Sequence, residues 1–465
     1  MNAIGKRIPA RHGSRLAPSG AFRLAILACL VLTHCLWAWA AGAPSDAQTQ
    51  GLLPLLAAAR ADRGAYLLLA ELTDDIGPRL AGSPALARGV DWAEVTLRRL
   101  GLQNVRREAA MVPHWVRHSE RLTMLAPERR ELPMLGLGDS PGTPGIEAPV
   151  VVLHSFDELS AAVAGNIVLF NVPMAPGTPA VAHYGAAAQY RAYGARRAAP
   201  FGALAVLVRS VTVHSLATVH TGASYPAEDA KPIPAAAITV EDADLIDRLT
   251  SRGIEVRVRL EMGAEKLADA LSHNVIGEIC GSEHPEEVVV VGGHLDSWDV
   301  GRGAHDDGAG IVEVITAMRL IRELGVAPRR TIRVVLFTNE ENGIRGGKAY
   351  AAAHGDETHL AAIETDLGGG APVSWSAKGS PEALAWLRAV AAPLGLPVEE
   401  GGSGVDISPL EGRGVLCVGL RPDDSRYFDV HHTAADTLDK VDPAALAEAT
   451  AAVTGLTWLL AHVPR

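Results

Sequence analysis

Cysteine is scarce in this chain: four in 465 residues, two of which, Cys29 and Cys35, lie in an amino-terminal segment that reads as removable. The remaining pair, Cys280 and Cys417, is too small a set for a disulfide framework, and the sequence leaves open whether they pair. Aromatic residues make up only 5% of the chain, and no run of Lys and Arg is interleaved with them. With a net charge of −11, the chain lacks the electrostatic footprint that phosphates require, which argues against nucleic acid as a partner. Long apolar runs are missing too. The longest candidate, residues 24–36, is interrupted by His34 and falls short of the roughly 20 residues that a membrane span needs.

That short run has a different meaning. Lys6, Arg7, Arg11, Arg15 and Arg23 precede it, and Ala38-Trp39-Ala40 follows with small residues. This is the layout of a secretory signal over residues 1–43, cut after Ala40 or Ala43, with an uncleaved anchor as the competing reading. The mature chain is then secreted or periplasmic. At the other end, Asp442-Pro443 starts an Ala-rich helix whose Glu448 and threonines favour packing on a sheet over spanning a bilayer.

What the sequence does contain is a set of apolar runs that end in acids or histidines. Residues 331–338 are β-branched and apolar, read as a buried strand, and lead into Glu340-Glu341. Residues 288–291 run through two glycines into His294-Leu295-Asp296, and residues 360–365 end at Asp366. The strand-like stretch 414–420 precedes His431-His432. In an open α/β sheet, ligands gather outside the carboxyl ends of the strands, so these groups converge on one edge.

Before this set, residues 51–72 and 91–100 have helical spacing, the second stopping at Gly101, and residues 105–112 read as a first strand. Residues 150–237 differ in composition: short apolar strands (150–153, 167–170, 203–208, 235–238) alternate with turn-rich segments and carry none of the acids above. They read as an inserted β-rich unit that closes the cleft and limits substrate length. Its replacement by a short linker should leave metal binding intact. From about Asn274 onward, strands and helices alternate, the pattern of a mostly parallel sheet flanked by helices.

The chemistry follows from residue types. Gly303-Ala304-His305-Asp306-Asp307-Gly308-Ala309-Gly310 precedes an apolar-periodic helix over 311–324; capping that helix accounts for one of its two acids at most. Adjacent residues on an extended chain point apart, so one of Glu340 and Glu341 can bind a metal while the other faces substrate as general base. Two His, two Asp and one Glu, with no thiolate, suit two zinc ions sharing one carboxylate, with cobalt or manganese as substitutes. Such a pair, about 3.5–4 Å apart, acidifies a bridging water and polarises a carbonyl.

Taken together, His294-x-Asp296, Asp306-Asp307-Gly308-x-Gly310, Glu340-Glu341, Asp366 and His432-x-x-x-Asp436 resemble the co-catalytic di-zinc aminopeptidase and carboxypeptidase superfamily. The strings GGHLDSWDVGRG (292–303) and DDIGPRLAGS (74–83) are similar to its carboxypeptidase Q group. The resemblance implies an α/β zinc-exopeptidase fold, with a mixed, mostly parallel sheet and an inserted protease-associated-type domain. The limits that follow are signal 1–43, catalytic parts 44–125 and 266–465, and insert 126–265. Carried over by residue, Asp306 bridges the zincs, His294 and Asp366 complete one, and Glu341 and His432 the other. Glu340 is the general base, Asp296 orients His294, and the peptide after Asp306 is cis. Where many relatives place an oxyanion-donating Tyr, this chain has His431, which makes His431 the candidate for that role. His305 receives no role.

The resulting expectation is a secreted di-zinc metallo-exopeptidase acting on short peptides or dipeptides, and the resemblance also implies a homodimer. The alternatives are a glutaminyl-cyclase-like single-zinc acyltransferase and a non-catalytic, receptor-like member of the fold. Which end of the substrate is read stays open: Asp406 is a candidate for an ammonium, and Arg421 or Arg426 for a carboxylate.

Overall fold

The computed structural model describes residues 51–226 and 231–462, so the segment 1–43, read from sequence as a secretory signal, lies outside the described residues. Two eight-stranded mixed sheets organise it. The first holds the acid-bearing strands. Its centre is four parallel neighbours, in the order Arg330–Phe337, His284–His294, Thr358–Glu364 and Leu416–Pro422. Antiparallel strands flank them: Glu265–Ile279 and then Gln103–Val116 on one side, Pro372–Lys378 on the other.

Burial on both faces explains why these strands are near-continuous Val, Ile and Leu. Val289 and Val291 face a core that includes the helices Ala309–Glu323 and Pro443–His462. Val288 and Val290 face a second core under helix Arg345–His354. All four are almost fully buried, each contributing on the order of 1.5–3 kcal/mol of transfer free energy. Helix Pro443–His462 is long and apolar enough to cross a membrane by composition alone, yet it packs on helices Ala309–Glu323 and Leu52–Ala61 and is mostly buried from Leu446 onward.

Most elements lie close to their sequence positions, and the departures have local causes. The helix read over 91–100 begins earlier, at Pro84, because the Ser83 hydroxyl accepts the Leu86 N–H and proline is favoured in a first turn. It ends before Gly101, whose φ of 69° suits a glycine. The first strand is longer than read, Gln103–Val116, since its outer half pairs with Glu265–Ile279 in a two-stranded arm.

The second sheet lies within Glu120–Met262, and its first strand, Glu120–Ala126, precedes the boundary read at residue 126. Its core is parallel: Thr143–Leu153, Ile167–Phe170, Ala205–Arg209 and Ala235–Ile238. It is less purely β than its sequence reads. Residues 181–198 form a helix of eighteen residues whose buried positions are only Ala and Gly, a pattern too weakly amphipathic to register. Both remaining cysteines are free: Cys417 is buried in strand Leu416–Pro422, and Cys280 lies just past strand Glu265–Ile279.

Candidate metal centre

The carboxyl ends of three of the four central strands deliver the expected groups directly. His294 ends its strand, Glu340 and Glu341 follow Phe337, and Asp366 lies two residues past Glu364. After the fourth strand, the short helix Tyr427–Val430 leads into His431 and His432.

Asp306 stands between two groups of ligands. Its Oδ1 is 3.2 Å from His294 Nε2, which is also 3.4 Å from Asp366 Oδ1. Its Oδ2 is 3.1 Å from His432 Nε2, which is 3.1 Å from Glu341 Oε2. Two donors bound tetrahedrally at about 2.0–2.1 Å lie roughly 3.3 Å apart, so each of these histidine–carboxylate pairs has the spacing a zinc ion needs, and His431 also lies within ligand reach of Asp306 and His432. His294 Nε2, Asp306 Oδ2 and Glu341 Oε1 are buried and have no hydrogen-bond partner. Orphaned buried N and O donors on both sides of one carboxylate fit a pair of zinc ions.

The second ring nitrogens fix the tautomers. His294 Nδ1–H donates to the Asp296 carbonyl (3.0 Å), and His432 Nδ1–H donates to the Thr221 carbonyl (3.2 Å). Because a carbonyl only accepts, each Nε2 lone pair is left facing the cluster.

Charge in the cluster is unbalanced without a cation. Burial, reinforced by Asp306, raises Glu341 to about 7. Burial likewise lifts Glu340 well above its ordinary value, with Asp366 and Glu341 adding to it. Burial alone would lower His432, yet Glu341 and Asp306 bring it to about 9. The same carboxylate attraction, from Asp366 and Asp306, overrides burial at His294.

Several assignments change in detail. Asp296 orients His294 through its backbone carbonyl. Its carboxylate instead accepts the N–H groups of Glu340 (3.0 Å) and Glu341 (3.3 Å). Those two residues lie in a turn rather than on an extended strand, so this buried acid is what aims the pair. Asp307 is close enough to join the ligands of His294 and Asp366, but its oxygens accept from His294 N (3.0 Å) and Gly310 N (3.1 Å). It is the helix cap, and the Asp306–Asp307 peptide is cis.

His305 is a brace: its Nε2 donates to the Lys440 carbonyl and its Nδ1 accepts from Gly369 N. Asp436 accepts the N–H groups of His305 and Asp306, holding the central carboxylate's backbone. Within the string 74–83, Arg79 is fully buried and donates to the carbonyls of Gly77, Leu295, Arg302 and Gly303, tying together the loops that carry Asp296 and Asp306.

A cavity of about 620 Å³ opens beside the cluster, lined by Glu340, Glu341, Asp306 and Asp366 from the first sheet. Of the substrate-end candidates, Arg421 lines it. Arg426 lies instead on a separate cavity of about 920 Å³, paired with Asp429, and Asp406 is buried and lines neither.

Sequence reasoning missed the contribution of the second sheet's unit. Tyr184, Arg191 and Tyr225 line the same cavity. The Thr221 N–H donates to the His432 carbonyl (3.0 Å), and His220 Nδ1–H donates to the His431 carbonyl (2.9 Å). Burial holds the Tyr184 phenol above its ordinary value. These contacts run largely through backbone, which leaves no signature in residue type.

Residues 274–457 match the model of peptidase family M28. Carboxypeptidase Q of Bos taurus is 40% identical over 425 residues, 89% of each chain. A solved peptidase M28 precursor from Shewanella amazonensis superposes with a TM-score of 0.86 at 36% identity, covering 90% of this chain and 99% of that one. A zinc aminopeptidase from Bacillus subtilis shares the fold at a TM-score of 0.61 and 21% identity, over 84% of this chain and 93% of its own.

Proposed function

The chain belongs to peptidase family M28 and is a zinc-dependent exopeptidase, and we propose that it hydrolyses short peptides, dipeptides among them, at two zinc ions. His294, Asp306 and Asp366 would hold one ion, and Asp306, Glu341 and His432 the other. The observation that carries this reading is the Asp306 carboxylate, with one oxygen toward each histidine-containing triad. Bound zinc supplies Lewis acidity, lowering the pKa of a water and polarising the scissile carbonyl.

The chain's own groups do the rest. Glu340 lines the cavity with its N–H engaged by Asp296, so its carboxylate is held where it can take a proton from the attacking water and return it to the leaving nitrogen. The cavity's volume is within the range of small-ligand sites and suits a short peptide better than a folded chain. Export through residues 1–43 and a homodimer belong to the same reading. A single-zinc acyltransferase or a ligand-poor receptor is disfavoured because both triads are complete.

A panel of dipeptides with free, amine-blocked and carboxylate-blocked ends tests the activity. Turnover by the zinc-loaded full chain, lost in Glu340→Gln, is the expected result; no cleavage of any member would overturn it.

A further inference from the structure

Bound zinc would polarise the scissile carbonyl, and a hydrogen-bond donor beside it would share the charge that develops. Attack on a peptide carbonyl moves the C=O π pair onto oxygen, and that charge needs a donor already in place. His431, the sequence candidate, also lines the cavity, but its ring is turned toward Asp306 and packed on His432. Its Nε2 lies 3.3 Å from Asp306 Oδ2, its ring stacks on His432 at 3.6 Å, and its carbonyl is held by His220.

Tyr184 is better placed. It lines the cavity together with Asp306, Glu340 and Glu341. Its ring is fixed by stacking on Phe428 (centroids 4.8 Å apart) and by an edge contact with His431 (5.2 Å). Its oxygen accepts a 2.6 Å hydrogen bond from Arg191 Nη1, seven residues and about two turns along the same helix. The hydroxyl's own proton has no acceptor among the described residues. A cationic donor on the oxygen makes the remaining O–H a stronger donor. Arg191 in turn sits behind His432, 3.4 Å from its Nδ1, and its buried Nε has no partner.

We propose that the Tyr184 hydroxyl, seated by Arg191, donates the hydrogen bond that stabilises the oxyanion formed from the scissile carbonyl. The inference rests on the peptidase reading above. In this step the water oxygen bonds to the carbonyl carbon, and the π pair becomes a lone pair facing Tyr184, which keeps its proton. When the pair returns, the C–N bond breaks, and the proton taken by Glu340 goes to the leaving nitrogen. Tyr184 is then a catalytic residue and Arg191 a positioning residue acting through it.

The test compares wild type, Tyr184→Phe, Arg191→Lys and Arg191→Met as zinc-loaded full chains. Each is assayed on one dipeptide as free acid and as carboxyl-terminal amide. Calorimetric binding of a phosphinic dipeptide analogue and zinc content are measured in parallel. Tyr184→Phe should lower kcat about 10²–10³-fold on every substrate the wild type cleaves, with KM and zinc content little changed. It should also weaken phosphinate binding by a similar factor. Arg191→Lys should keep more activity than Arg191→Met. A Tyr184→Phe kcat within about threefold of wild type, with unchanged phosphinate affinity, would overturn the role. So would a loss confined to KM for the free acid, which would make the pair a reader of the substrate's carboxylate. A wild type that neither cleaves the dipeptides nor binds the phosphinate would overturn the peptidase reading itself and this inference with it.

Discussion

Thr221 holds His432 twice: its N–H donates to the His432 carbonyl, and its own carbonyl accepts the His432 Nδ1 proton. The grip matters because His432 has a φ of 60°, a left-handed conformation that a residue with a side chain adopts at a cost. Thr221→Pro removes the backbone donor. It should lower zinc affinity about 10–100-fold in chelator competition, the usual range for losing a group that orients a ligand. Unchanged affinity in a folded variant would show that the grip is dispensable.

Glu340 and Asp306 should fail in different ways. Glu340→Gln keeps shape and removes only proton transfer, so it should bind zinc as wild type does and lose about 10²–10⁴-fold in kcat. Asp306→Ala removes the carboxylate common to both triads and should lose metal together with activity. Single-turnover assays beside elemental analysis separate the two.

The convergence of these side chains was legible in the sequence because strand ends are chemically loud: apolar runs stop at or just before His294, Glu340-Glu341 and Asp366. The central parallel strands were legible for the same reason, since burial on both faces forces an unbroken apolar run. Orientation was not legible. His-x-Asp spacing implies that the Asp296 carboxylate meets the imidazole; it does approach His294 Nδ1, at 3.8 Å, but its hydrogen bonds go to the Glu340 and Glu341 amides that the turn after Phe337 brings to it. The role of residues 181–225 was hidden too, because the helix Val181–Ala198 buries only small residues and Thr221 acts through its backbone.

Arg79 supports the site from below. Arg79→Met strands three buried carbonyls and a partly buried fourth and should cost about 3–5 kcal/mol of unfolding free energy, read from the urea midpoint. A shift below about 1 kcal/mol would mean that water replaces the guanidinium.

Replacing residues 126–265 with a Gly/Ser linker now carries a revised expectation. The sequence alone implied intact metal binding, but Thr221 and His220 hold His432 and His431 in place. Zinc affinity should therefore fall as the cavity opens to longer peptides. Wild-type affinity in that variant would confine the segment to a steric role.

The most direct test is the zinc content of the purified wild-type chain, by elemental analysis after loading and desalting. The proposed centre, with one carboxylate between two histidine-containing groups, predicts two zinc ions per chain, with the Asp306→Ala variant falling well below that. One zinc per chain in a fully active wild type would contradict the two-metal centre.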